Sequence, residues 1–198
     1  MTHVVYLHGF RSSPQSVKAQ CLVRAIEAMP AALRPRLYVP SLRPDPAAAV
    51  RDVADWIERE LGSRAAVQLT LIGSSLGGFY ATHLAERFAA HAALINPAIR
   101  PWEDLRAYLG TQTNLHTGET FEVTAAHFAE LRALAVRQIS RPDRYFLLVR
   151  TGDELLAWTE AVEFYARSFQ YVKGGGDHGW TDFDEEVAAI LRFAGVPI

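Results

Sequence analysis

Short apolar runs alternate with stretches of helical period along the whole chain. Val4 to Leu7, Leu37 to Val39, Val67 to Ile72, Ala92 to Ile95, Tyr145 to Val149 and Phe169 to Val172 read as strands. Several are apolar on both faces, as strands covered by helices on either side are. Between them, apolar positions recur at spacings of three and four. Val50, Val53, Ala54, Ile57 and Leu61 share one helix face, with Asp45 as N-cap and Pro46 at the first helical position. Phe183, Val187, Ile190, Leu191 and Ala194 form a second stripe. Val17, Cys21, Ala25 and Ala28 form a third, which makes Cys21 a small core residue. This alternation predicts an α/β chain with a mostly parallel central sheet flanked by helices. In such sheets ligands bind beyond the carboxyl ends of the strands.

Residues 98–142 break the rhythm, being too many for a plain connection between the fourth and fifth predicted strands. Helical pieces from Trp102 to Leu109 and from Ala125 to Gln138 surround a polar turn containing Gly118. The expectation is a small helical insertion, a lid over the sheet edge, within a single domain spanning residues 1–198.

Composition narrows the function classes. With 20 basic against 22 acidic side chains and a net charge of −2, the chain lacks the positive field of a phosphate-driven nucleic-acid binder. No segment approaches the roughly 20 apolar residues of a membrane span, and Met1 to His8 lacks the basic start and long apolar stretch of a signal peptide. The one cysteine, Cys21, forbids an intrachain disulfide and a cysteine-pair zinc site. These features imply a cytoplasmic protein with no metal and no cofactor.

Chemistry concentrates after strands. Gly73-Ser74-Ser75-Leu76-Gly77 follows one predicted strand and opens a helical stretch from Phe79 to Phe88, the context of a nucleophile elbow. Ser75 is then the exposed nucleophile, and the Leu76 N–H points where an oxyanion forms. His8-Gly9-Phe10 ends the first strand, and the Phe10 N–H is the expected second oxyanion donor. A serine hydroxyl needs a base, and the base needs a partner. His178 follows the last predicted strand and Asp153 the one before it. Glu154 is the alternative acid if that turn is rotated by one residue. Asp177 adjoins the base, so its side chain diverges from the ring and shapes the loop.

These residues match a family pattern. His8-Gly9-Phe10-Arg11-Ser12-Ser13-Pro14, Gly73 to Ala81, Asn96-Pro97-Ala98, Thr151-Gly152-Asp153-Glu154 and Gly175-Gly176-Asp177-His178 resemble the YqiA/YcfP group of small bacterial α/β-hydrolase esterases. The resemblance covers nearly the whole chain. It implies a compact α/β-hydrolase fold and hydrolysis of a carboxylic ester or thioester, with Ser75, Asp153 and His178 as the triad. Beyond the acid the chain departs from the family pattern, with Leu155-Leu156-Ala157-Trp158.

The expected reaction is acyl transfer to water through Ser75, rising with pH through roughly 6–7.5, where an imidazole ordinarily loses its proton. The expected partner is a small ester or thioester. His8, Gly9, Arg11, Phe79, Trp102 and Trp180 lie near the strand-end loops as candidate substrate contacts, with Arg11 suited to a phosphate of an acyl-CoA leaving group. Three rivals remain: the same triad cleaving a different bond, a non-catalytic α/β module that binds a small ligand at these strand ends, and an interaction scaffold with a vestigial site.

Overall fold

The computed structural model describes residues 2–198. From the N-terminus the elements are β1 (His3–Leu7), α1 (Val17–Glu27), β2 (Arg36–Tyr38), α2 (Pro46–Glu60), α3 (Ala65–Gln68), β3 (Leu69–Ser74), α4 (Leu76–Phe88) and β4 (His91–Ile95). There follow α5 (Pro101–Asp104), β5 (Gly110–Thr113), β6 (Thr120–Val123), α6 (Ala125–Leu134), β7 (Tyr145–Arg150), α7 (Trp158–Phe164), β8 (Phe169–Lys173) and α8 (Asp184–Phe193).

Among the described residues six strands form one sheet in the order β2-β1-β3-β4-β7-β8. Every neighbouring pair in it is parallel. Alternate strand residues feed two cores. Val5, Leu7, Leu71, Leu94, Leu147 and Val149 face α2, α4 and α7. Val4, Tyr6, Ile72, Ala93, Ile95 and Leu148 face α1 and α8. The register brings Leu7 beside Gly73 and Ser74 beside Ile95, so the carboxyl ends of β1, β3 and β4 open on one edge. The chain runs outward from β1 to β2 and then crosses back to β3, which makes the gap between β1 and β3 a switch point where loops diverge and a cleft forms.

The two strongest helix stripes fold as their periodicity dictates. Asp45 accepts a hydrogen bond from the Ala48 N–H at 2.6 Å at the start of α2, and all five of its predicted inward residues are buried. The stripe of α8 is buried as well. Three expectations need correction. The third strand starts at Leu69, because residues 65–68 close a helical turn that leaves Val67 exposed. An apolar run this short does not distinguish the two states. In α1 the buried face is Ala19, Cys21, Leu22 and Ile26, while Val17 is exposed.

The third correction concerns residues 98–142, which are not wholly helical. One turn of α5 and a 3-10 turn lead into an antiparallel hairpin, β5–β6, before α6. Thr111, Thr113, Thr120 and Val123 are β-branched residues in a strand-length alternation of exposed and less exposed positions. That signal is short, and the flanking helical periodicity masks it. Among the described residues no helix is long and apolar enough to cross a membrane.

Candidate active site

At the end of β3 the backbone turns sharply into α4 through Ser75, whose φ of 56° and ψ of −121° lie outside the helical and strand regions. Such a conformation costs on the order of 1–3 kcal/mol in a non-glycine residue and persists only where the surroundings enforce it. Here they do. The Ser75 N–H donates to the Ile95 carbonyl at 3.0 Å, and the Ser75 carbonyl accepts from Gly78 and Ala98. The glycines around it are sites of backbone contact. A Cβ on Gly73 would lie 2.3 Å from the Gly77 oxygen, and one on Gly77 2.0 Å from the Leu7 oxygen. Ser75 makes no side-chain capping bond to its own helix, and Leu76 occupies the first helical position, where its N–H has no intrahelical acceptor.

The turn after β1 lies against this serine. A Cβ added to Gly9 would come 3.1 Å from the Ser75 Cβ and 3.6 Å from its Oγ. Phe10, the next residue, packs edge-on against Tyr108 and Phe121 of the 98–142 segment. Main-chain ties reinforce that contact. Arg11 Nε donates to the Thr113 carbonyl at 2.9 Å, the Leu115 N–H to the Arg11 carbonyl at 2.8 Å, and Asn114 Nδ2 to the Ser12 carbonyl at 2.8 Å.

Beyond β7 and β8 the remaining groups meet. His178 Nδ1 lies 2.8 Å from Asp153 Oδ2, and the Asp153 side chain is only 1% exposed. Asp153 Oδ1 accepts the N–H groups of Leu155 and Leu156 at 2.9 and 2.8 Å. Burial pushes the Asp153 carboxyl up, but the His178 hydrogen bond and charge, with the two amides, bring it below the ordinary carboxylate range. Glu154 points elsewhere, with Oε2 accepting the His178 N–H at 2.9 Å. Asp177 shapes its loop, accepting from the Trp180 N–H and the Thr181 hydroxyl.

Ser75 and His178 line one cavity of about 410 Å³, together with Gly9, Phe10, Arg11, Lys18, Asp104, Tyr108, His116 and Leu155 among others. A second cavity of about 380 Å³ is also lined by Gly9 to Ser12 and includes Leu76 and Tyr80. Gly9, Phe10 and Arg11 line both cavities. Four other candidates do not line the cavity that holds Ser75. Trp180 is fully buried in the α1/α8 core, with the Arg150 guanidinium 5.3 Å from its ring. Phe79 and Trp102 pack edge-on against each other in the opposite core. His8 is buried with both ring nitrogens engaged, Nε2 accepting from the Leu42 N–H and Nδ1 beside the Gly9 carbonyl. Burial lowers its pKa, so a neutral ring braces two loops.

Other residues position the site. Buried Asn96 accepts the Arg150 N–H at 2.9 Å through Oδ1 and donates through Nδ2 to the His178 carbonyl at 3.2 Å, joining the ends of β4 and β7 to the histidine loop. Lys18 Nζ donates to the Gly179 carbonyl at 2.6 Å. A buried asparagine directly after a strand is a signal that sequence carries; a lysine inside a helix is not.

The profile of an uncharacterised protein family, UPF0227, the YqiA/YcfP-like group, matches residues 3–195. A candidate hydrolase from Agrobacterium vitis S4 superposes with a TM-score of 0.76 at 18% identity, over 98% of this chain and 88% of that one. The esterase domain of a Rhodothermus marinus protein gives 0.70 at 18% identity, over 98% and 86%. Mouse alpha/beta hydrolase domain-containing protein 10 gives 0.70 at 16% identity, over 98% and 89%. With its parallel sheet, its elbow after β3 and a family match over nearly its full length, the chain has the α/β-hydrolase fold and belongs to the UPF0227 family.

Proposed function

We propose that the protein is a serine hydrolase that cleaves carboxylic esters or thioesters through an acyl-enzyme on Ser75. The observation that carries this reading is a serine held at a positive-φ elbow, sharing a cavity with a histidine whose Nδ1 is hydrogen-bonded to a buried carboxylate. In the first step Ser75 Oγ bonds to the acyl carbon while His178 Nε2 takes its proton. The Leu76 and Phe10 N–H groups receive the oxyanion. The bond to the leaving oxygen or sulfur then breaks, and the leaving group accepts the proton from His178. Water repeats the sequence and frees the acid. Asp153 holds the Nδ1–H tautomer and offsets the imidazolium charge. The esterase domain from Rhodothermus marinus shares the fold, a fold-level analogy in keeping with this chemistry.

The test is intact mass after a fluorophosphonate, on wild type and Ser75→Ala. One adduct on wild type that is absent from the variant is expected. A folded wild type that takes no adduct and hydrolyses no short-chain ester favours the ligand-binding alternative.

A further inference from the structure

The chain has two lysines, and they are partnered in opposite ways. Lys173 is surrounded by carboxylates, with Asp182 and Glu185 at 2.8 Å and Glu186 at 3.0 Å. Lys18 lines the Ser75 cavity, and its hydrogen-bond acceptors are main-chain carbonyls, Gly179 at 2.6 Å and His178 at 3.4 Å. Among the described residues no carboxylate lies within ion-pair distance of it. An ammonium has three protons, and these two carbonyls take two.

The fold has little use for that charge. Lys18 sits in the first turn of α1, where a cation opposes the helix dipole, and a neutral donor would serve the two carbonyls as well. Burial brings its pKa down to about 8, against the pull of Asp177 and Asp153. Both of those carboxylates are engaged, Asp177 with Trp180 and Thr181 and Asp153 with His178. The other charged or titratable groups lining the cavity are Tyr6, Arg11, Asp104, Tyr108, His116 and His178. Arg11 is anchored to Thr113, while Asp104 responds to Glu160, Arg100 and Glu103. Part of the remaining wall is apolar, with Val17, Leu105, Leu115, Leu155 and Leu156, beside Ser12, Ser16 and Ser74.

We propose that the substrate of this site carries a carboxylate on its acyl chain, a few carbons from the scissile carbonyl, and that the Lys18 ammonium receives it. The proposal rests on the serine-hydrolase reading. One free N–H on a single ammonium matches a monoanionic carboxylate, whereas a phosphate dianion calls for a cluster of donors or a guanidinium fork. The methylenes between ester and carboxylate lie along the apolar wall.

The test compares monoethyl glutarate with ethyl pentanoate, esters of equal acyl length, on wild type, Lys18→Gln and Lys18→Met. Glutamine keeps a donor for the Gly179 carbonyl and removes the charge. The expected result is a wild-type kcat/KM ratio favouring the anionic ester, falling at least roughly tenfold in both variants. In wild type that ratio also declines as pH rises through about 8, where Lys18 loses its proton, and in Lys18→Gln it is flat. A ratio that Lys18→Gln leaves unchanged, or equal losses on both esters, overturns the proposal. Should the variants fail to fold, glutarate must slow fluorophosphonate labelling of wild type more at pH 7 than at pH 9; equal protection overturns it. Ready hydrolysis of ethyl pentanoate without preference for the anion sinks this inference alone, whereas no hydrolysis and no Ser75 adduct sinks the serine-hydrolase reading with it.

Discussion

The β3–α4 elbow and the 98–142 segment both border the Ser75 cavity, yet different forces hold them. In the elbow, backbone packs on backbone: Gly73 against Gly77 and Gly77 against Leu7. The hairpin of the 98–142 segment instead reaches the Gly9–Ser12 loop through individual polar bonds and the edges of Phe10, Tyr108 and Phe121. A close-packed backbone has one arrangement and no side chain that can yield. A seam of separate hydrogen bonds, each worth about 0.5–1.5 kcal/mol, can loosen in steps. The molecule thus combines an unyielding nucleophile turn with an adjustable wall.

The most severe way to break this contrast is a methyl group in the elbow. Gly77→Ala forces a carbon to 2.0 Å from the Leu7 oxygen and 2.6 Å from the His8 oxygen. A loss of more than about 4 kcal/mol, or no folded protein, is expected in denaturant titration. Gly118→Ala, at φ +75° with nothing within 4 Å of the new carbon, should cost only about 1 kcal/mol. Equal losses at the two glycines would erase the distinction.

An intermediate effect is expected at the seam. Asn114→Ala removes the bond to the Ser12 carbonyl and leaves the N–H groups of His116 and Thr117 without their side-chain acceptor. About 1–2 kcal/mol of stability should go, and ester turnover should fall about tenfold as the Gly9–Phe10 turn slackens. Full activity in the variant would mean that the hairpin does not position that turn.

The smallest effect concerns Asp104, which partial burial and the nearby Glu160 push from 3.8 to about 6. Because the folded-state pKa is raised, the stability that this group contributes is present below pH 4 and is lost as pH rises through 4–6. Asp104→Asn should therefore gain on wild type across that window and stay ahead at pH 7, by less than about 1 kcal/mol after solvent screening. Paired thermal melts at pH 4 and pH 7 read the difference. A gain that is the same at both values would show that the carboxyl titrates as it does in water.

Much of this architecture is legible in the chain. The α2 stripe capped by Asp45, the glycine spacing around Ser75 and the place of His178 after the last strand all follow from residues close together in sequence. The hairpin escaped because its strands are four residues long and largely exposed. Trp180 follows a strand end, as site residues do, yet its ring lies in the α1/α8 core, a placement set by tertiary packing.

Local order and spacing thus determined the fold class, the elbow and the set of residues that meet beyond the sheet, since each depends on periodicity, capping or steric room within a few positions. Tertiary structure alone decided which way each side chain looks. A turn rotated by one residue would exchange Asp153 and Glu154, and only the packing of the β7 and β8 loops selects the carboxylate that faces His178. The same holds for Asn96 and Lys18, whose partners lie 82 and 161 residues away, a separation that no local pattern spans.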